Sequence, residues 1–100
     1  MEQQTKEIME DALASQHEVH AMYELYQASL QEENSFGDWL YYIIDTADVS
    51  AEENDFKDEN DVIDYPAYYR AVYNQVKAFI KAKVNYAIDN WIQTDQPIES

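Results

Sequence analysis

The sequence predicts an all-α fold, a small helical bundle formed by one acidic domain over residues 1–100, and three observations carry that expectation. Apolar residues recur at alternating steps of three and four through two long stretches, one near each end of the chain. One glycine, Gly37, and two prolines, Pro66 and Pro97, are too few for the turn chemistry of sandwiches and barrels. Apolar types make up 46% of the residues and aromatic types 14%, enough to build one core despite the charge, and 100 residues is the size of one domain.

The first long helix is expected over about residues 3–31, where Met9, Ala12, Gln16, Val19, Tyr23, Tyr26 and Leu30 form a stripe widened by Ile8, Leu13 and Met22. Residues 31–34 read as a loop. Ser35 with Asp38 three positions on resembles a capping box, with Asp in place of Glu, and starts a short helix over about 36–48. Its apolar face holds Phe36, Leu40, Ile43 and Ala47. A strand is the alternative for Trp39 to Ile44, but no partner strand is evident. Ser50 with Glu53 caps a further short helix over about 51–58. Asp64, Tyr65 and Pro66 then make a helix start with proline at the first helical position. The second long helix runs over about 66–92 on Val72, Val76, Phe79, Ile80, Val84, Ala87 and Trp91. The architecture is two long helices enclosing one or two short ones.

Composition also removes whole classes of function. Cysteine is absent, so no disulfide or thiolate metal site braces the fold. The polar, acidic start of the chain lacks the pattern of a secretion signal. The longest apolar run, Trp39 to Ile44, is far short of the roughly 20 residues of a membrane span, and a cytoplasmic protein is expected. With 21 acidic against 6 basic side chains the formal charge is −15, which repels nucleic acid and anionic lipid directly. Such a field attracts basic surfaces, and the commonest large basic surfaces in a cell are those that grip nucleic-acid backbones.

The acids are not spread evenly. Asp45, Asp48, Glu52, Glu53, Asp55, Asp58, Glu59, Asp61 and Asp64 stand against the single Lys57, whereas Arg70, Lys77, Lys81 and Lys83 place most of the basic residues on the last predicted helix. The run reads in two ways: as a solvated linker, or as a segment anchored to the bundle by Phe56, Val62, Ile63 and Tyr65 so that its carboxylates keep a fixed pattern. Duplex DNA carries one charge per roughly 1.7 Å of axis, and an anchored row of carboxylates approximates it. Crowding like charges on a small domain is destabilising, and solubility needs a net charge of only about 2–8, so an excess of this size suggests a use. Nine tyrosines exceed what a small core can bury with every hydroxyl satisfied. Tyr65, Tyr68 and Tyr69 stand beside the acidic run, an apolar anchor with a charged rim.

The stretch Ile63-Asp64-Tyr65-Pro66-Ala67-Tyr68-Tyr69-Arg70 resembles an Ile-Asp-Tyr-x-Ala-Tyr segment of ArdA-type anti-restriction proteins. In being short, acidic and Tyr-rich the chain resembles small phage and plasmid counter-defence proteins generally, the Ocr-type and ArdA-type anti-restriction proteins and several acidic anti-CRISPR proteins. The ArdA type is longer and mixes strands with helices, so its fold and binding residues are not carried over. The resemblance implies a DNA-mimic inhibitor whose partner is a basic nucleic-acid-binding protein of the host. On charge and position, the partner-binding candidates are Glu32, Glu33 and Asp38, the nine acids from Asp45 to Asp64, and the three tyrosines.

Other constellations weigh less. His17 and His20, with Glu24 a turn further, do not have zinc-protease spacing, and no second helix supplies the Glu-x-x-His of a di-iron site. Asp48, Ser50, Glu52, Asn54 and Glu59 match a calcium loop by count, but Glu53 stands where glycine is needed and Phe56 at the ninth position. No nucleotide-binding glycine loop or nucleophile-base pair is present, so neither a cofactor nor an enzyme is expected. The alternative function is a non-enzymatic helical adaptor or regulatory interaction module, with a homodimer open to either reading.

Overall fold

The computed structural model describes residues 3–94, and the side chains of residues 3–92 within them. Four helices occur in this span: α1 (Gln3–Ala14), α2 (His17–Leu30), α3 (Phe36–Thr46) and α4 (Tyr65–Thr94), with a single 3-10 turn at Glu53–Phe56. The all-α bundle expected from the sequence is what forms.

The first long helix is broken in two. Gln16 adopts an extended backbone (φ −98°, ψ 123°) and caps α2, while the Ser15 hydroxyl donates to the Ala12 carbonyl at 2.8 Å. No proline or glycine forces the break; the reason lies in packing. Leu13 and Val19 are both fully buried, yet six positions on an unbroken helix would set them about 120° apart. The two-residue interruption turns both segments inward, which an apolar stripe counted along one straight helix does not reveal.

α3 begins where the sequence places it, with the Ser35 hydroxyl accepting from the Asp38 amide at 3.1 Å. Ser35→Ala is expected to cost about 0.5–2 kcal/mol, measured as a lower urea midpoint with an unchanged helix signal. α3 returns along α1 in the opposite direction. Lys6 reaches Asp45 near the end of α3, and His20, just past α1, stacks on Phe36 at its start with ring centroids 3.9 Å apart. Tyr23 and Tyr26 both pack on Trp39, and the Tyr23 hydroxyl donates to the Asn34 carbonyl, closing the α2–α3 turn.

α4, about 45 Å long from its 30 residues, is the spine. Tyr68, Val72, Val76, Ile80 and Val84 are buried at every fourth position. Each step of four residues rotates the buried line by about 40°. Turning in this way, α4 meets α1, α3, the 3-10 turn and, most extensively, α2. α2 runs in the same direction as α4: Glu18 near its start pairs with Lys77 at 2.9 Å, and Leu30 at its end shares a groove with Trp91. Asp64 Oδ1 accepts from the Ala67 amide at 3.2 Å, so Tyr65 rather than Pro66 is the first helical residue.

The helix expected over 51–58 is reduced to the 3-10 turn, and Ser50 does not cap it. The Ser50 amide instead donates to Gln75 Oε1 on α4 at 2.7 Å. A regular helix here would set Glu52, Asp55, Asp58 and Glu59 at three- and four-residue spacing, where like charges repel. The chain folds into a tight hairpin-like turn instead. Lys57 and Ile63 form an isolated antiparallel bridge, and the Asp64 and Asp58 amides donate to the Phe56 and Val62 carbonyls at 2.9 and 3.0 Å. No strand forms at Trp39 to Ile44.

Candidate partner-binding surface

The segment from Asp45 to Asp64 is ordered by its own backbone and side chains. Asp58 holds the turn, its Oδ1 accepting from the Asn60 and Val62 amides at 2.8 and 3.0 Å. Asp61 sits in the left-handed region at φ 63°, a conformation that aspartate tolerates better than most side chains. Two of the four expected anchors hold. Phe56 packs edge-on against Tyr68 with centroids 5.9 Å apart, and Ile63 is half-buried. Val62 and Tyr65 are exposed. The solvated-linker reading therefore gives way to an anchored segment.

Several candidate acids have structural duties. Asp64 caps α4 and Asp58 braces the turn. Glu53 accepts from the Tyr65 hydroxyl at 3.4 Å. Asp45 is paired with Lys6 at 2.6 Å, its side chain 62% exposed while that of Lys6 is 7% exposed. The Lys6 ammonium, 3.8 Å from the centre of the Tyr41 ring, is desolvated by the helices around it and needs the carboxylate. Hydrogen bonding to Lys6 holds the Asp45 carboxyl below its ordinary range, and hydrogen bonding to Asp45 raises Lys6. A depressed carboxyl contributes stability above the ordinary carboxylate range and loses it as the pH falls through the lowered value; the raised lysine keeps its share until the pH climbs past its own. Asp45→Asn should therefore unfold at lower urea than the native chain at neutral pH. The gap should close as the pH drops below the carboxylate range, a convergence that parallel urea titrations would follow.

Asp48, Glu52, Asp55, Glu59 and Asp61 are exposed along the turn. They are the freest carboxylates of the run. The neighbouring tyrosines divide. Tyr65 and Tyr69 stack at 5.8 Å, with Tyr65 exposed and Tyr69 half-buried, and remain an apolar anchor beside the acids. Tyr68 does not: at 7% exposure it belongs to the core, because the fourfold ridge of α4 starts with it. Its role is to seat Phe56 and so the acidic turn.

Glu32 and Glu33 lie apart from this turn. With Glu24, Tyr23, Gln27 and Asn34 they line an open groove between α2 and its turn into α3, and Asp38 stands on the first turn of α3. α3, 11 residues and about 16 Å long, separates this group from Asp48 and its neighbours. Both ends of the Gln27 amide are buried here without a hydrogen-bond partner. Glu24 joins this group only through the turn after α2, which the helical pattern does not show. Lys6 likewise carries no local signal, being 39 residues from Asp45.

Among the described residues no cluster of three His, Asp or Glu side chains is placed to hold a metal ion, and no helix is long and apolar enough to cross a membrane. His20 presents its Nε2 to the Ala14 carbonyl at 3.0 Å and its ring to Phe36, a packing role. The nine tyrosines are shared between the core edge and the surface, with Tyr41, Tyr42, Tyr65 and Tyr86 exposed. A comparison of the chain with protein-family models, curated proteins and solved structures finds no match.

Proposed function

We propose that this protein is an acidic decoy that occupies the nucleic-acid-binding surface of a basic host protein, of the anti-restriction or anti-CRISPR type, in the cytoplasm. The observation that supports this reading is the set of exposed carboxylates Asp48, Glu52, Asp55, Glu59 and Asp61 on a backbone pinned by the Lys57–Ile63 bridge and the Asp58 carboxylate. Carboxylates fixed before binding lose little conformational entropy on contact, whereas those on a mobile linker would lose more. They would pair with the Lys and Arg that otherwise hold phosphates. Tyr65 and Tyr69 would add apolar contact that salt does not screen. Glu24, Glu32, Glu33 and Asp38 would form a second patch reached only by a partner that spans α3.

A second reading, a helical adaptor whose acids merely neutralise one basic partner, draws on the apolar side chains exposed on α2 and α4. Capture from host lysate at low and moderate salt, with and without excess duplex DNA, separates the two. A decoy captures a nucleic-acid-binding protein that DNA displaces and that salt weakens. Capture that neither DNA nor salt affects would reject the decoy and favour the adaptor.

A further inference from the structure

The charge that dominates this molecule is missing from one surface. Residues 31–64 hold twelve acids (Glu32, Glu33, Asp38 and the nine from Asp45 to Asp64) against Lys57 alone. By contrast α2 and residues 77–92 of α4 together hold Glu18, Glu24 and Asp89 against Lys77, Lys81 and Lys83. On one side of this helix pair a groove of about 370 Å³ runs between Tyr26 and Leu30 of α2 and Tyr86, Ala87 and Trp91 of α4. It continues over Phe79 and Ala82, sharing Lys83 and Tyr86 with its first part. Not one of the residues lining this continuous patch is acidic, and the only charged one, Lys83, holds its ammonium 5.5 Å from the Phe79 ring centre. Tyr86 is 70% exposed and Leu30 41%.

We propose that a second copy of this chain seats on this patch, joining two helix pairs into a four-helix unit. A two-helix pair leaves one side of each helix without a neighbour, and Tyr86 and Leu30 are the apolar side chains left there. The charge pattern selects the occupant. A basic partner would gain little from a patch whose lining carries no acid and one lysine, Lys83, with Glu32 near only its Tyr26 edge. Two copies of a chain of formal charge −15 repel one another wherever acids face acids, which leaves this patch as the place for close approach. An apolar, aromatic patch is also its own complement, as a two-fold interface requires. From Phe79 to Trp91 the patch is about 18 Å long, and two helices are about 20 Å across, so two copies bury on the order of 700 Å². That is below the range of stable specific interfaces and in that of weak ones, so the dimer should be weak and concentration-dependent.

Sedimentation velocity and light scattering on the full chain test this. The expected result is a mass rising from the 11.8 kDa of one chain to twice that value across the micromolar range, with the emission of the partly exposed Trp91 moving to the blue as the dimer forms. Tyr86→Glu combined with Leu30→Glu should raise the dimer dissociation constant by about 30-fold or more and leave the helical signal intact, since both positions face water in the single chain. Val62→Glu, exposed in the acidic turn away from the patch, should leave association unchanged. A chain that stays monomeric at every concentration would overturn the proposal, as would a dimer that survives the double substitution.

Discussion

Ile80→Ala is expected to lower the free energy of unfolding by about 2–5 kcal/mol, the range for emptying a buried aliphatic site. Ile80 is fully buried and stands near the midpoint of α4 (Tyr65–Thr94), on the ridge that packs against the rest of the bundle. A cavity there removes contacts from the middle of the one buried cluster, and the rigid spine cannot collapse to fill it. For a domain whose whole stability is of order 5–15 kcal/mol that is a large fraction. Urea unfolding of the native and substituted chains measures it. A loss under 1 kcal/mol would mean that Ile80 does not pack tightly in this core.

The second large effect is electrostatic and has two opposite signs. Replacing Asp48, Glu52, Asp55, Glu59 and Asp61 by their amides removes five of the 21 acids without touching the Asp58 turn, the Asp64 cap or the Lys6–Asp45 pair. Self-repulsion falls, so this variant should melt higher than the native chain at low ionic strength, with the gain vanishing at high salt where exposed charges are screened. Binding should move the other way. At about 0.2–1 kcal/mol per exposed ion pair, losing five contacts weakens capture of a basic partner by about 5-fold to 5,000-fold and flattens its salt dependence. A variant that gains stability and still captures the partner with the native salt slope would move the binding surface away from this turn.

What could be read in advance divides by range of interaction. The Ser35 cap, the Asp64 start of α4 and the alternation of Val72, Val76, Ile80 and Val84 are local, because a cap or a helix face involves residues within a turn or two of one another, and all three stand in the structure. The helix expected over 51–58 does not form, because the mutual repulsion of its acids and the pull of Gln75 on the Ser50 amide outweigh the capping spacing. Tyr68 was grouped with its neighbours Tyr65 and Tyr69 because adjacency in sequence does not say which of three consecutive faces of a helix meets the core.

By itself the sequence determined the helical class, the length of α4, the concentration of acids between Asp45 and Asp64 and the scarcity of basic partners for them, since composition and short-range periodicity suffice for each. Only the tertiary structure decided that α1 and α2 part at Gln16, that Lys6 takes Asp45 out of the free set, that the acidic run is pinned rather than loose, and that the side chains around Tyr86 form an acid-free patch. Each of these depends on which helix lies across from which, and the direction in which a side chain meets its neighbour is set by packing between elements far apart in the chain.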